Sequence, residues 1–150
     1  LKFTDYDDIT SNLPKFMEFV FERDAKSKSP FRFTWPSFVQ GWHDSTAIAL
    51  KYESLISDGV NTLQGALRAV TKDDVDLDKL TKVYETYSFR NQSNRESGNE
   101  NTTSFLRKGQ PGDWINKFDK RSAILFNELA GDELILLGYE KDDSWIDLID

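Results

Sequence analysis

The sequence contains no cysteine and only one histidine, His43, among its 150 residues. The absence of cysteine excludes disulfides, thiolate metal sites and a cysteine nucleophile. With a single histidine, a Ser-His-Asp triad or a multi-histidine metal site could be built only around His43. No apolar run approaches the length that crosses a bilayer, and no secretory signal is visible in these residues. We therefore expect no metal, no membrane segment and a cytoplasmic location.

Positive charge is also scarce, because 19 Lys and Arg residues oppose 26 Asp and Glu residues for a net charge of −7. A phosphate backbone binds best to a broad basic surface, so this balance disfavours nucleic acid as a partner. A small anionic ligand needs only a local basic cluster. Aromatic residues are abundant, with 11 Phe, 5 Tyr and 4 Trp, and they argue for a folded chain because such side chains must be buried.

Apolar residues recur at three- and four-residue steps in several segments, which predicts amphipathic helices. Pro36 suits the first turn of one helix, and Asp76 and Asp132 are candidate N-caps of two others. The last helix is expected to end at Gly138. The predicted helices lie at residues 9–21, 35–42, 60–70 and 77–87, after Asp119, and again after Asp132.

The segment most typical of a β-strand is Thr46–Glu53. Its centre, Ala47–Leu50, is a continuous apolar run, as in a strand buried on both faces of a parallel sheet. Asp58 and Gly59 then predict a turn. A buried strand needs neighbours for its backbone hydrogen bonds, and the sequence offers no convincing second strand. The expected fold class is therefore α/β, mostly helical with one clear strand, the rest of the sheet lying outside these residues.

The long polar stretch Phe89–Gly112 shows no periodicity, and such stretches are often functional. It overlaps the run R-K-G-Q-P-G-D-W, which begins at Arg107. An Arg fork can hold two phosphate oxygens, and adjacent Lys108 adds a point charge. Gly109 has no Cβ, so its N–H can approach an oxyanion closely. On composition alone a solvated turn is the commoner interpretation, so both alternatives are open at this level.

This run, followed closely by Asn116 and Phe118, resembles the R-K-G-x-x-G-D-W motif that closes the cosubstrate site of cytosolic-type sulfotransferases. Three flanking stretches resemble the same family: its Y-E-D-L segment, its S-F-x-x-x-x-x-R-x-x-G stretch and the ending of many bacterial members. They are Tyr52–Leu55, with Ser54 where Asp is usual, Ser88–Gly98, and Leu137–Asp142 with Trp145. The resemblance runs from Trp35 to Trp145 in the family's order and spacing.

The resemblance implies that 3′-phosphoadenosine 5′-phosphosulfate is the donor and that its sulfuryl group passes to a hydroxyl or amine of a small-molecule acceptor. In the family, the Arg and the backbone of the Lys-Gly pair bind the 3′-phosphate of the donor. Other matching residues lie on the adenine side, where an aromatic face can stack and a tyrosine tip can form a hydrogen bond. The 3′-phosphate positions here are Arg107, Lys108 and Gly109, and the adenine-side positions are Tyr52, Ser88 and Phe89. Without the resemblance, core packing would be the preferred interpretation of the two aromatic residues.

The implied fold is the carboxyl-terminal portion of a P-loop-NTPase-like parallel-sheet sulfotransferase domain, which would span residues 1–150. The family's phosphate loop, its base His and an Arg/Ser pair belong to the amino-terminal half, and nothing here matches them. His43 does not match the base, so we assign no catalytic residue. We expect the chain alone to be inactive and to need its own amino-terminal half as a partner. The family's dimerisation segment has no counterpart in Ile115–Ile124, so that dimer is not expected.

Two other functions stay open. The chain could be a non-catalytic nucleotide-binding remnant that keeps the 3′-phosphate site. It could also be a helical interaction module in which the aromatic cluster Trp35–Trp42 forms a partner surface. Binding of adenosine 3′,5′-bisphosphate separates these two, because only the first requires it.

Overall fold

A computed structural model describes residues 1–149, and every regular element in that range is helical. The α-helices are α1 (Ile9–Ala25), α2 (Trp35–His43), α3 (Tyr52–Thr71), α4 (Leu77–Thr86), α5 (Phe89–Ser93) and α6 (Lys120–Leu136). Two 3₁₀ helices follow α5 and α6, at Asp113–Asn116 and Asp143–Leu148. None of the helices in this range is both long and apolar enough to cross a membrane.

The predicted β-strand at Thr46–Glu53 is wrong, and with it the prediction of an α/β parallel-sheet fold. Residues 47–51 have no regular structure, and α3 begins at Tyr52. The apolar run is not buried, since Ile48 is 43% exposed and Leu50 is 40% exposed. A strand must share its backbone hydrogen bonds with a neighbour, and residues 1–149 contain no strand that could serve.

The chain divides into two units, and the first comprises Leu1–Ala47 with Asp113 and the described residues after it. Within this unit α6 packs against α1, α2 and the last 3₁₀ helix. Its core is built around Ala123, Trp145 and Ile149, with partly buried aromatic residues against them. Trp114 packs edge to face on Trp145, with ring centroids 5.8 Å apart.

The helix starts predicted at Pro36, at Asp76 and after Asp119 are confirmed. The carboxylate of Asp76 accepts a hydrogen bond from the Lys79 N–H at the start of α4, and Asp119 accepts one from the Ser122 N–H at the start of α6. Pro36 lies in the first turn of α2, as expected. These caps satisfy backbone donors that have no partner inside the helix.

The helix predicted after Asp132 is present as the second part of α6, and it follows a kink at Ala130 rather than a separate cap at Asp132. Residues 120–136 form one helix with a kink at Ala130, where φ is −158°. Next to the bend, buried Gly131 lies against the side chain of Asn127, whose Oδ1 accepts a hydrogen bond from the Trp145 indole at 3.0 Å. The predicted end at Gly138 holds, because Gly138 has φ +65° just beyond the last turn.

The second unit, Ile48–Gly112, contains α3, α4 and α5. The turn predicted at Asp58 and Gly59 is a kink inside α3, with φ −150° at Asp58. Gly59 is buried under the ring of Tyr84, whose hydroxyl donates to the Leu55 carbonyl at 2.8 Å. Tyr84 therefore ties the first turns of α3 to α4.

Candidate functional site

Five of the six residues predicted to bind the donor lie between positions 88 and 109 of the second unit. Ser88 caps α5, and its Oγ accepts a hydrogen bond from the Asn91 N–H at 3.3 Å. Phe89 is therefore the first residue of a helix that lasts only five residues. The helix ends at Asn94, which has φ +54°, a conformation that asparagine tolerates better than most residues.

The structure places Phe89 directly against Gly109. A Cβ added to Gly109 would stand 2.7 Å from Cε2 of the Phe89 ring and closer still to Cδ2 and Cγ. Gly109 also has φ +62°. Two independent constraints thus require glycine here: the left-handed backbone and the space that the ring occupies. The contact joins a predicted adenine-side residue to a predicted phosphate-side residue.

Backbone hydrogen bonds hold residues 106–109 against residues 95–101. The Gly98 N–H donates to the Lys108 carbonyl and the Asn101 N–H to the Arg107 carbonyl, each at 2.9 Å. The Ser97 hydroxyl donates to the Gly109 carbonyl at 2.6 Å. The carbonyl of Leu106 accepts a hydrogen bond from the Arg95 guanidinium. Four consecutive carbonyls therefore face one neighbouring segment.

This arrangement orients the amide groups that follow. In a trans peptide the N–H of the next residue points opposite to the carbonyl. The N–H groups of Arg107, Lys108, Gly109 and Gln110 therefore point away from residues 95–101. Successive N–H groups on one side of a backbone make a surface suited to an anion.

The charge of this part of the chain differs in sign from the whole. Residues 88–109 hold four Lys or Arg residues and two Glu residues, a net charge of +2 in a chain of net charge −7. Arg107 forms an ion pair with Glu100 at 3.0 Å, with 46% of its side chain exposed. Arg90 pairs with Glu96 at 3.1 Å. The segment thus keeps a local excess of positive charge beside the outward-facing amides.

Arg95 was not among the predicted site residues, yet it lies at the centre of these contacts. Its guanidinium donates to the carbonyls of Leu106, Arg107 and Asn99 and lies 5.3 Å from the centroid of the Phe89 ring. The signal for it was present, since Arg95 is the Arg of the S-F-x-x-x-x-x-R-x-x-G stretch. The pattern alone did not tell what that arginine would touch.

Tyr52 is the predicted residue that lies outside positions 88–109 in the sequence. It is the first residue of α3 and is 48% exposed. Within residues 1–149 no hydrogen bond or ring contact joins it to positions 88–109. His43 ends α2 in the first unit and is exposed. The described residues also contain no cluster of three or more His, Asp or Glu that could hold a metal ion.

Comparison with known families identifies the class of protein. The family model described as the sulfotransferase domain matches residues 3–138, so the chain belongs to the sulfotransferase domain family. This family comprises transferases that move a sulfuryl group to small-molecule acceptors and generally use 3′-phosphoadenosine 5′-phosphosulfate as the donor. No curated protein and no solved structure matches the chain.

Proposed function

We propose that this chain binds 3′-phosphoadenosine 5′-phosphosulfate and grips its 3′-phosphate with Arg107 and the backbone of Lys108 and Gly109. The observation that carries the proposal is that the carbonyls of residues 106–109 all accept hydrogen bonds from residues 95–101, which turns the four amides that follow them the other way, beside Arg107. A phosphate oxygen accepts hydrogen bonds from such amides, and a guanidinium adds a charge-assisted pair. These donors are supplied by a segment whose carbonyls are already committed elsewhere.

The adenine would lie on the Phe89 side of the same cluster. Arg95 lies over the half-buried ring and Gly109 packs against it, so an adenine would meet the part of the ring that these two residues leave uncovered. The Ser88 Oγ accepts from the Asn91 N–H, which leaves its O–H to donate to an adenine nitrogen. We propose Tyr52, which is half exposed, as a further contact to the base.

The reaction served by this site is sulfuryl transfer. A new bond forms between sulfur and the acceptor oxygen or nitrogen, and the bond from sulfur to the donor's 5′-phosphate breaks. Adenosine 3′,5′-bisphosphate leaves, and the acceptor's proton passes to a base. Because these 150 residues match neither the family's phosphate loop nor its base, we assign to this chain the holding of the donor. The transfer step would use groups outside it, as in the cytosolic-type members that it resembles.

A binding comparison tests the proposal. Calorimetric titration with adenosine 3′,5′-bisphosphate should show tighter binding than titration with adenosine 5′-monophosphate, which lacks only the 3′-phosphate. Arg107→Ala should remove roughly 10- to 100-fold of affinity for the bisphosphate, the loss expected of one charge-assisted contact, and little for the monophosphate. Arg90→Ala is the matched control, because Arg90 lies in the same segment and pairs with Glu96. Equal affinity of the unaltered chain for both nucleotides would refute the proposal.

The same titration bears on a second candidate, a nucleotide-binding remnant without activity. No residue in this sequence matches the family's general-base His, and this favours the remnant. It requires that bisphosphate binding persists while no sulfuryl transfer is measured from the phosphosulfate donor, even when the rest of a sulfotransferase domain is supplied.

A further inference from the structure

Arg95 contacts two backbone segments and an aromatic ring of the second unit. Its Nη1 donates to the Asn99 carbonyl at 2.5 Å and to the Arg107 carbonyl at 2.9 Å, and its Nη2 donates to the Leu106 carbonyl. Its guanidinium carbon lies 5.3 Å from the centroid of the Phe89 ring. The half-buried guanidinium of Arg95 therefore touches the backbone at residues 106–107, the facing backbone at Asn99, and the Phe89 ring.

Within residues 1–149 this cation is balanced by carbonyl dipoles and a ring rather than by a carboxylate. The two acidic residues nearby in sequence have other partners, since Glu96 pairs with Arg90 and Glu100 pairs with Arg107. A guanidinium has five donors in a planar fork and suits several carbonyls at once, and its flat face suits an aromatic ring. Arg95 therefore places its positive charge on the inner side of residues 106–109.

We infer that Arg95 is a positioning residue for donor binding: it couples the phosphate-holding residues 107–109 to the adenine-side ring of Phe89. By binding the carbonyls of Leu106 and Arg107, it turns the amides that follow toward the ligand. By lying over the Phe89 ring, it fixes the ring against Gly109. The inference rests on the proposed function and assigns Arg95 no contact with the ligand itself.

Coupling and direct contact have different consequences. Among contacts to the ligand, loss of Arg107 removes the one to the 3′-phosphate, so it should weaken only a nucleotide that carries that group. Loss of Arg95 disturbs both the amides and the ring, so it should weaken binding of adenosine 3′,5′-bisphosphate and of adenosine 5′-monophosphate together. Lysine should not substitute, because a compact ammonium cannot span carbonyls on two segments and also stack on a ring.

The test compares Arg95→Lys and Arg95→Gln with the control Arg90→Gln. Both Arg95 variants should lose roughly ten-fold or more in affinity for each nucleotide, the loss of at least one charge-assisted hydrogen bond. Far-UV circular dichroism should be unchanged, because α3 and α4 pack without Arg95. Amide hydrogen exchange should be faster at Gly98 and Asn101, whose N–H groups donate to Lys108 and Arg107. The Arg90 variant should keep the exchange rates of Gly98 and Asn101 and lose much less affinity than either Arg95 variant, because Arg90 pairs with Glu96 rather than with these carbonyls.

Three outcomes would overturn the inference. Full affinity in Arg95→Lys would mean that only the charge matters, and loss confined to the bisphosphate would make Arg95 a direct phosphate ligand. Unchanged exchange at Gly98 and Asn101 would show that Arg95 does not hold the segment. If the unaltered chain binds neither nucleotide, the proposed function fails on its own, and the exchange measurement still decides whether Arg95 orders residues 106–109.

Discussion

Replacing Gly109 by alanine tests the contact on which the candidate site is built. The left-handed backbone at φ +62° costs an L-residue about 1–2 kcal/mol. The new Cβ would also stand 2.7 Å from Cε2 of Phe89, and relieving such overpacking costs about 1–3 kcal/mol. We expect Gly109→Ala to lower the free energy of unfolding of the second unit by about 2–5 kcal/mol.

Gly112→Ala is the matched control, because it shares the backbone strain without the clash. Gly112 has φ +78°, and nothing lies within 4 Å of the Cβ that alanine would add. Its expected cost is therefore only about 1–2 kcal/mol. Native-state hydrogen exchange of amides in α3 and α4 measures the free energy of opening of this unit. In a Phe89→Ala background, the cost of Gly109→Ala should fall to that of Gly112→Ala. Equal costs of the two glycine substitutions in the unaltered chain would show that the ring does not press on Gly109.

Three further predictions concern the same unit. Gly59→Ala should destabilise the second unit by about 2–4 kcal/mol, as measured by hydrogen exchange, because the new Cβ would displace the Tyr84 ring and its hydrogen bond to Leu55. The control is Gly65→Ala in the same helix, whose Cβ meets nothing within 4 Å and should stabilise the unit by about 0.5–1 kcal/mol. Glu100→Gln should tighten bisphosphate binding by up to about five-fold in calorimetry, because the anion no longer competes with this carboxylate for Arg107, and weaker binding would contradict that role. The hydrogen bond from the Lys79 backbone N–H, and to a lesser extent the positive charge of Lys79, lowers the pKa of Asp76 below its ordinary value. The stability that Asp76 gives to α4 is therefore complete above about pH 4 and is lost as the pH falls through the lower pKa of the folded state. Asp76→Asn should remove that part of the acid dependence in urea titrations, and an unchanged acid dependence would count against it.

The helices were largely predictable because their signals are local. Periodic apolar residues and caps such as Asp76 and Asp119 lie within a few residues of the backbone groups that they affect. The strand at Thr46–Glu53 failed for the opposite reason. An apolar run favours burial but does not by itself choose between strand and irregular backbone, because a strand depends on partners distant in sequence. The kink at Ala130 lies beside Asn127, whose hydrogen bond to Trp145 is likewise made with a residue distant in sequence.

The candidate site shows the same division. Arg107, Lys108 and Gly109 were singled out by residue type and family resemblance, which need no knowledge of contacts. The contact of Phe89 with Gly109 joins positions 20 residues apart, and the bonds of Arg95 to residues 106 and 107 span 11 and 12 positions. Such contacts depend on how the chain folds back, and no local pattern specifies them. The family pattern included Arg95, but its contacts became visible only in the structure.

The most direct test of the central claim is to follow the backbone amides of Arg107–Gln110 by NMR during titration with adenosine 3′,5′-bisphosphate. If these amides bind the ribose-linked phosphate, their proton resonances should move downfield on binding, most strongly at Lys108 and Gly109. Adenosine 5′-monophosphate at the same saturation should leave these four resonances nearly unchanged while still shifting Phe89. Bisphosphate binding that leaves the Lys108 and Gly109 amides unperturbed would contradict the account.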